Sequence, residues 1–150
     1  MRAASDTPPW WLVTRRDARR YRPRAMTPAE ANDALVRELL EAWIARDVDR
    51  VLELWADDGV YHAVPLAPID GKAAFADFAR SFAGRPPPRI EIHHQVASEH
   101  AVMNERTDTL DFHGREVVLP ICAVFEVRDG RVAAWREYFD PARFSRVSER

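Results

Sequence analysis

Two stretches in the C-terminal half of the chain place charged residues at alternate positions of what reads as buried strand. They are Asn104-Glu105-Arg106-Thr107-Asp108-Thr109-Leu110 and Ala134-Trp135-Arg136-Glu137-Tyr138-Phe139-Asp140. Strand side chains alternate between faces, so Arg106 and Asp108 share a face with Leu110, and Glu137 shares one with Trp135 and Phe139. A charge among apolar side chains is costly unless it is paired, and a carboxylate–arginine–carboxylate cluster meets that requirement. Such a cluster is also acid–base machinery. Two carboxyls in one dry site share a proton, which leaves one as acid and the other as base. For Asp108 to be the acid, its pKa must rise well above the usual ~3.9. A dry pocket and a nearby Glu137 push it up, and Arg106 pulls it down. The competing readings are a structural ion-pair network with both acids charged, or a register that leaves these groups in solvent.

The rest of the chain limits what can surround the cluster. With 150 residues, 47% hydrophobic and 31% charged, it is long enough for a proper core and has the composition of a soluble globular domain. No apolar run approaches the ~20 residues of a membrane span. A net charge of -2 leaves no footprint for nucleic acid. The single cysteine, Cys122, excludes an internal disulfide and a cysteine-based zinc motif; its apolar run, Leu119 to Phe125, suggests a core position. His93, His94 and His113 have no metal-ligand spacing, so no metal is expected; no cofactor is expected either. Residues 1–25 hold seven arginines against Asp6 and Asp17, while the remainder is net acidic. Residues 1–26 are therefore expected to be a basic, disordered extension, or to precede a true start at Met26; a basic arm for nucleic acid or a membrane surface is the competing reading. The patch Trp10-Trp11-Leu12-Val13 is too short for a signal sequence, so a cytoplasmic location is expected.

The folded domain, residues 27–150, should begin at Thr27-Pro28-Ala29-Glu30, a capping box with proline at the first helical position. Leu35, Val36, Leu39, Leu40, Trp43 and Ile44 recur at helical spacing and predict an amphipathic helix to about Arg46. Asp47 should cap a shorter helix through Trp55, and Asp57-Asp58-Gly59 should turn the chain into a short strand, Val60–Val64. A loop, Pro65 to Pro68, leads to a third helix capped by Asp70 with Phe75, Phe78 and Phe82 on its apolar face. The period then changes to two. Ile90, Ile92, His94 and Val96 alternate in one strand, 101–111 and 116–127 form two more, and Asp129-Gly130 is the hairpin signal before the last, 132–139. Three helices and a long antiparallel meander predict an α+β fold, with helices covering a curved sheet around an apolar pocket.

Several of these segments, in order, resemble one family. Arg106-Thr107-Asp108, Leu119 to Val127, Arg128-Asp129-Gly130-Arg131 and Trp135-Arg136-Glu137-Tyr138-Phe139-Asp140 are similar to limonene-1,2-epoxide hydrolases, as is Tyr61-His62-Ala63-Val64-Pro65. That family belongs to the cone-shaped superfamily named after nuclear transport factor 2, with ketosteroid isomerases and SnoaL-type cyclases. The resemblance, over about Thr27 to Phe144, implies one-step hydrolysis of an epoxide with no metal and no covalent intermediate. It assigns Asp108 as the acid, Arg106 as the bridging arginine, Glu137 as the base and Tyr61 as a water-holding tyrosine. Two positions depart from the pattern. The base is usually aspartate, and Ala63 stands where an asparagine would help hold the water.

The expected partner is a small hydrophobic substrate. Its pocket should be lined by Trp135, Leu110, Phe139, Ala63, His94, Leu66, Phe78, Pro120 and Cys122. His94 shares the apolar phase of its strand, so it could replace the missing amide or be a satisfied core histidine. His62 should point away from Tyr61 and be exposed, and Arg136 and Tyr138 should face the sheet exterior. Both faces of the 116–127 strand are apolar and need cover, which with the resemblance implies a homodimer. Epoxide hydrolysis to a vicinal diol is the first functional expectation. The alternative is a SnoaL-like or ketosteroid-isomerase-like cyclase or isomerase using the same carboxyls without water, and the third is a non-catalytic module for a hydrophobic ligand.

Overall fold

Thr27 and Glu30 cap each other at the start of the domain. The Thr27 hydroxyl accepts from the Glu30 N–H at 3.2 Å, and the Thr27 N–H donates to the Glu30 carboxylate at 2.7 Å. This box opens α1 (Pro28–Ala45), whose buried stripe is Val36, Leu39 and Leu40. Arg46, in the left-handed region at φ 59°, closes the helix. The computed structural model describes residues 24–112 and 114–144, so the expectations for the basic leader lie outside the described residues.

Asp47 caps α2 (Val48–Glu53), as its spacing suggested. Trp55, however, does not extend that helix: it begins β1 (Trp55–Val64), longer than expected by the Trp55 to Gly59 segment. Tertiary pairing overrides local turn chemistry here. Leu54 accepts from Val132 N–H at 2.8 Å, and Trp55 lies opposite Val132, with an irregularity between Trp55 and Val60. Gly59 makes that irregularity fit, because a Cβ there would lie 2.4 Å from the Trp55 indole nitrogen. Residues Ile69–Asp70 form a short strand, β2, against Val60 and Tyr61. Asp70 is thus paired in the sheet, and Gly71 rather than Asp70 sits at the start of α3 (Lys72–Arg80).

The remaining strands are β3 (Arg89–Ala97), β4 (Ala101–Phe112), β5 (Arg115–Arg128) and β6 (Arg131–Tyr138). Asp129 (φ 53°) and Gly130 (φ 70°) make the tight turn between the last two. The six strands form one curved sheet in the order β2-β1-β6-β5-β4-β3. It is antiparallel except where β1 runs parallel to β6. That pairing is non-local and closes the sheet's N-terminal and C-terminal parts on each other. Helix α1 lies across β3, β4 and β6, and α3 across β1 and β2. The core between them holds Leu39, Trp55, Phe75, Val102, Ile121, Phe125 and Trp135. Among the described residues no helix is long and apolar enough to cross a membrane.

Candidate active site

Cross-strand register brings the two charged stretches together. Glu137 lies between Ala63 of β1 and Ala123 of β5, and Ala123 is opposite Asn104 of β4. Two residues along β4, Arg106 faces Ile121, and Asp108 faces Leu119. Ala123, small and fully buried, stands between Glu137 and β4, and the Arg106 guanidinium reaches Glu137 from β4. Its Nε donates to Asp108 Oδ1 at 2.8 Å and its Nη2 to Asp108 Oδ2 at 3.3 Å, while Nη2 also donates to Glu137 Oε1. Arg106 is 1% exposed, and Asp108 and Glu137 are also buried. The Tyr61 hydroxyl donates to the other Glu137 oxygen, Oε2, at 2.7 Å.

Burial decides the electrostatics. It pushes the Asp108 carboxyl up to about 6, against the charge and hydrogen bonds of Arg106, and the nearby Glu137 charge adds to the rise. Burial and the Glu137 carboxylate hold the Tyr61 phenol well above its ordinary range, so it is a proton donor in a hydrogen bond. For Arg106, burial alone would lower the pKa, but the two carboxylates outweigh it and raise it. The guanidinium stays charged while the neighbouring Asp108 carboxyl titrates at about 6. The arrangement can therefore give a proton at one carboxyl and take one at the other within a single site.

Asn104 was not singled out by the sequence pattern, although it sits two residues before Arg106 on the same face. It is 2% exposed; its Oδ1 accepts from Arg106 Nη1 at 3.1 Å, and its Nδ2 donates to Gln95 Oε1 at 3.1 Å. Gln95 in turn donates to Asp33 on α1 at 2.8 Å. Arg106 is thereby held on the side away from the carboxyls as well as between them.

The carboxyls open on a cavity of about 330 Å³. Ala63, Leu66, Phe78, Leu110, Trp135 and Phe139 line it together with Tyr61, Asp108 and Glu137. Trp43, Phe82, Phe112 and Phe144 complete an aromatic wall. Three expected lining residues are elsewhere. A bulge between Ile92 and His94 adds a residue to β3, so His93 and His94 both face out and Gln95 takes the inward phase. His94 is exposed, 3.9 Å from Glu105, and is neither a pocket nor a core residue. Pro120 and Cys122 lie on the outer face of β5, since Leu119, Ile121 and Ala123 occupy the inner phase. Cys122 is an exposed thiol rather than a core residue. His62 does point away from Tyr61 but is half-buried, its Nε2 2.8 Å from the Leu66 carbonyl oxygen. Among the described residues, no group of three or more His, Cys, Asp or Glu converges to hold a metal.

Known proteins share this architecture. Residues 36–135 match the model of the SnoaL-like domain family. The chain is 39% identical over 105 residues to epoxide hydrolase EphG of Mycobacterium tuberculosis, which covers 70% of each protein. It superposes with a TM-score of 0.74 on the structure of an M. tuberculosis LEH-like epoxide hydrolase, at 34% identity over 80% of this chain and 90% of that one. Bal32a, from a soil-derived mobile gene cassette, has a TM-score of 0.66 and 26% identity, covering 77% of this chain and 93% of its own. Sequence and fold agree: the chain belongs to the SnoaL-like domain family and, within it, to the epoxide hydrolases of the limonene-1,2-epoxide hydrolase type.

Proposed function

We propose that the protein adds water to a small or medium apolar epoxide and releases a vicinal diol by general acid and base catalysis. The observation that carries this reading is the pair of buried carboxyls, Asp108 and Glu137, bridged by one guanidinium at an apolar cavity. Glu137 takes a proton from water as the water oxygen bonds to an epoxide carbon. The bond from that carbon to the epoxide oxygen breaks, and Asp108 gives its proton to the departing oxygen, which becomes the second hydroxyl. Return of a proton from Glu137 to Asp108 resets the site. Arg106 fixes the two carboxyls relative to each other, and Tyr61 orients Glu137 while its oxygen remains free to accept from water. The apolar wall excludes bulk water and selects a hydrophobic substrate. Hydrolysis in ¹⁸O-labelled water tests the reaction: the label must enter the diol, and substrate consumption without it would reject this reading.

A cyclase or isomerase reading has one observation in its favour. Ala63, beside Glu137 in the ladder, donates nothing, and the single Tyr61 hydroxyl proton is already given to Glu137. A substrate hydroxyl could then replace water as nucleophile. Ala63→Asn separates the two, because it puts an amide next to Glu137. Diol formation holds or rises if water is the native nucleophile; a cyclised or isomerised product falls if it is not.

The assembly belongs to the same proposal. Val118, Pro120, Cys122 and Val124 form an apolar strip along the outer face of β5, with Met103 on β4 and Tyr138 on β6 beside it. Pairing of two copies across this strip would cover it. Sedimentation should give twice the chain mass at micromolar concentration, and a monomer mass there rejects the dimer.

A further inference from the structure

The end of the cavity lined by Phe82 and Pro86 carries two arginines that the proposed reaction does not use. Arg46 closes α1, and Arg85 follows the turn after α3; both line the cavity. Many other arginines of the domain are ion-paired, among them Arg50 with Glu38 and Glu53, Arg89 with Glu116, Arg128 with Asp58 and Arg136 with Glu126, although Arg143 donates to the Val118 carbonyl instead. Neither Arg46 nor Arg85 forms an ion pair among the described residues. Arg46 donates through Nη2 to the Pro86 carbonyl at 3.0 Å, but its buried Nε has no hydrogen-bond partner there. Both guanidiniums lie against one ring, Arg46 at 5.4 Å and Arg85 at 5.1 Å from the Phe82 centroid, so two like charges share Phe82 as a neighbour. Burial, and then the Arg85 charge, lower the Arg46 pKa, so the juxtaposition has a cost. Asp111, which also lines the cavity, accepts from the Gly114 N–H at 3.0 Å and pairs directly with neither arginine.

We propose that Arg46 and Arg85 form an anion subsite at this end of the cavity, and that the natural substrate is an apolar epoxide carrying a carboxylate at its far end. The guanidinium fork matches a carboxylate through paired N–H donors, and an incoming anion would relieve the repulsion between the two cations. An aromatic path joins this end to the carboxyls. Trp43 lies 5.8 Å from the Arg46 guanidinium and 5.5 Å from Trp135, and Trp135 lies 5.8 Å from that of Arg106. An amphipathic chain can therefore lie along Trp43 and Trp135, with its charge at the two arginines and its epoxide at Asp108 and Glu137. The epoxide end rests on the function proposed above, whereas the anion subsite rests on the arginine geometry alone.

Binding and turnover test the two parts separately. In titration calorimetry at low ionic strength, the full chain should bind decanoate at least about tenfold more tightly than methyl decanoate, with the ratio shrinking as salt is added. Arg85→Gln should bring the ratio down by about threefold or more, and Arg46→Gln likewise. Because Arg85 is exposed, its replacement keeps the test valid if loss of the Arg46–Pro86 contact unfolds the other variant. A wild-type ratio near one, or a ratio that Arg85→Gln leaves unchanged, overturns the subsite. A medium-chain terminal-epoxy acid and its methyl ester are then compared as substrates. Decanoate preference without turnover of either epoxide would remove the hydrolase reading and keep the subsite; equal turnover of both without decanoate preference would do the reverse.

Discussion

Replacing Asp108 with asparagine should change stability in a manner that depends on pH, and the sign of that dependence tests the mechanism. In the folded protein the Asp108 carboxyl rises from its ordinary 3.8 to about 6. The folded state therefore holds this proton more tightly than the unfolded chain does. Its contribution to stability is fully present below the unfolded value and is lost as pH rises through the folded one. A displacement of this size corresponds to roughly 3 kcal/mol when complete, of which about 2 kcal/mol falls between pH 4.5 and pH 8. The substituted asparagine cannot titrate. Its fixed cost, an amide N–H set against the Arg106 donors, applies at both pH values and cancels in the difference. Urea unfolding of wild type and Asp108→Asn at pH 4.5 and 8 should thus show wild type losing about 2 kcal/mol relative to the variant as pH rises. The same ionisation should give a descending limb in the wild-type pH–rate profile above about 6, because only neutral Asp108 can protonate the epoxide oxygen. A stability difference that does not change with pH would mean an ordinary carboxyl. A change of opposite sign would mean a carboxylate held by Arg106, which cannot act as an acid, and either result refutes the assignment.

Glu137→Gln should lower turnover of an epoxide by ~10²–10⁴-fold with the fold retained, measured by initial rates and circular dichroism, since an amide cannot take the proton from water. Asn104→Ala leaves Arg106 Nη1 and the Gln95 side chain without their partner, and should cost ~1–3 kcal/mol in urea unfolding and reduce kcat as Arg106 loosens. Unchanged stability and kcat would show that Arg106 needs no support on that side. Gly59→Ala drives a methyl group to 2.4 Å from the Trp55 indole nitrogen and should destabilise by ~1–3 kcal/mol, seen as a lower thermal midpoint without a changed pH–rate profile.

Local chemistry in the sequence was enough for the elements whose signals are local. The capping box at Thr27, the cap at Asp47 and the Asp129-Gly130 turn all act within a few residues, and each forms where its spacing placed it. Strand alternation, which depends only on the pleat, put Arg106 and Asp108 on one face and Glu137 with Trp135 on another. It could not show that those faces are the same surface; the register through Ala123 decides that. Alternation also fails wherever a bulge inserts a residue, which is why His94 faces solvent and Gln95 takes its place beside Asn104. On β5, where both phases are apolar, periodicity carried no information about which side is inner, and Pro120 and Cys122 turn out to lie on the outer one. The long β1, begun at Trp55, is similarly a product of parallel pairing with β6, a partner so distant in the sequence that no window of local residues contains both. Arg46 and Arg85 show the same limit most plainly. Each reads alone as an ordinary polar residue at the end of a helix, and only the packing of α1 against the turn after α3 sets both guanidiniums on Phe82 at one end of the cavity.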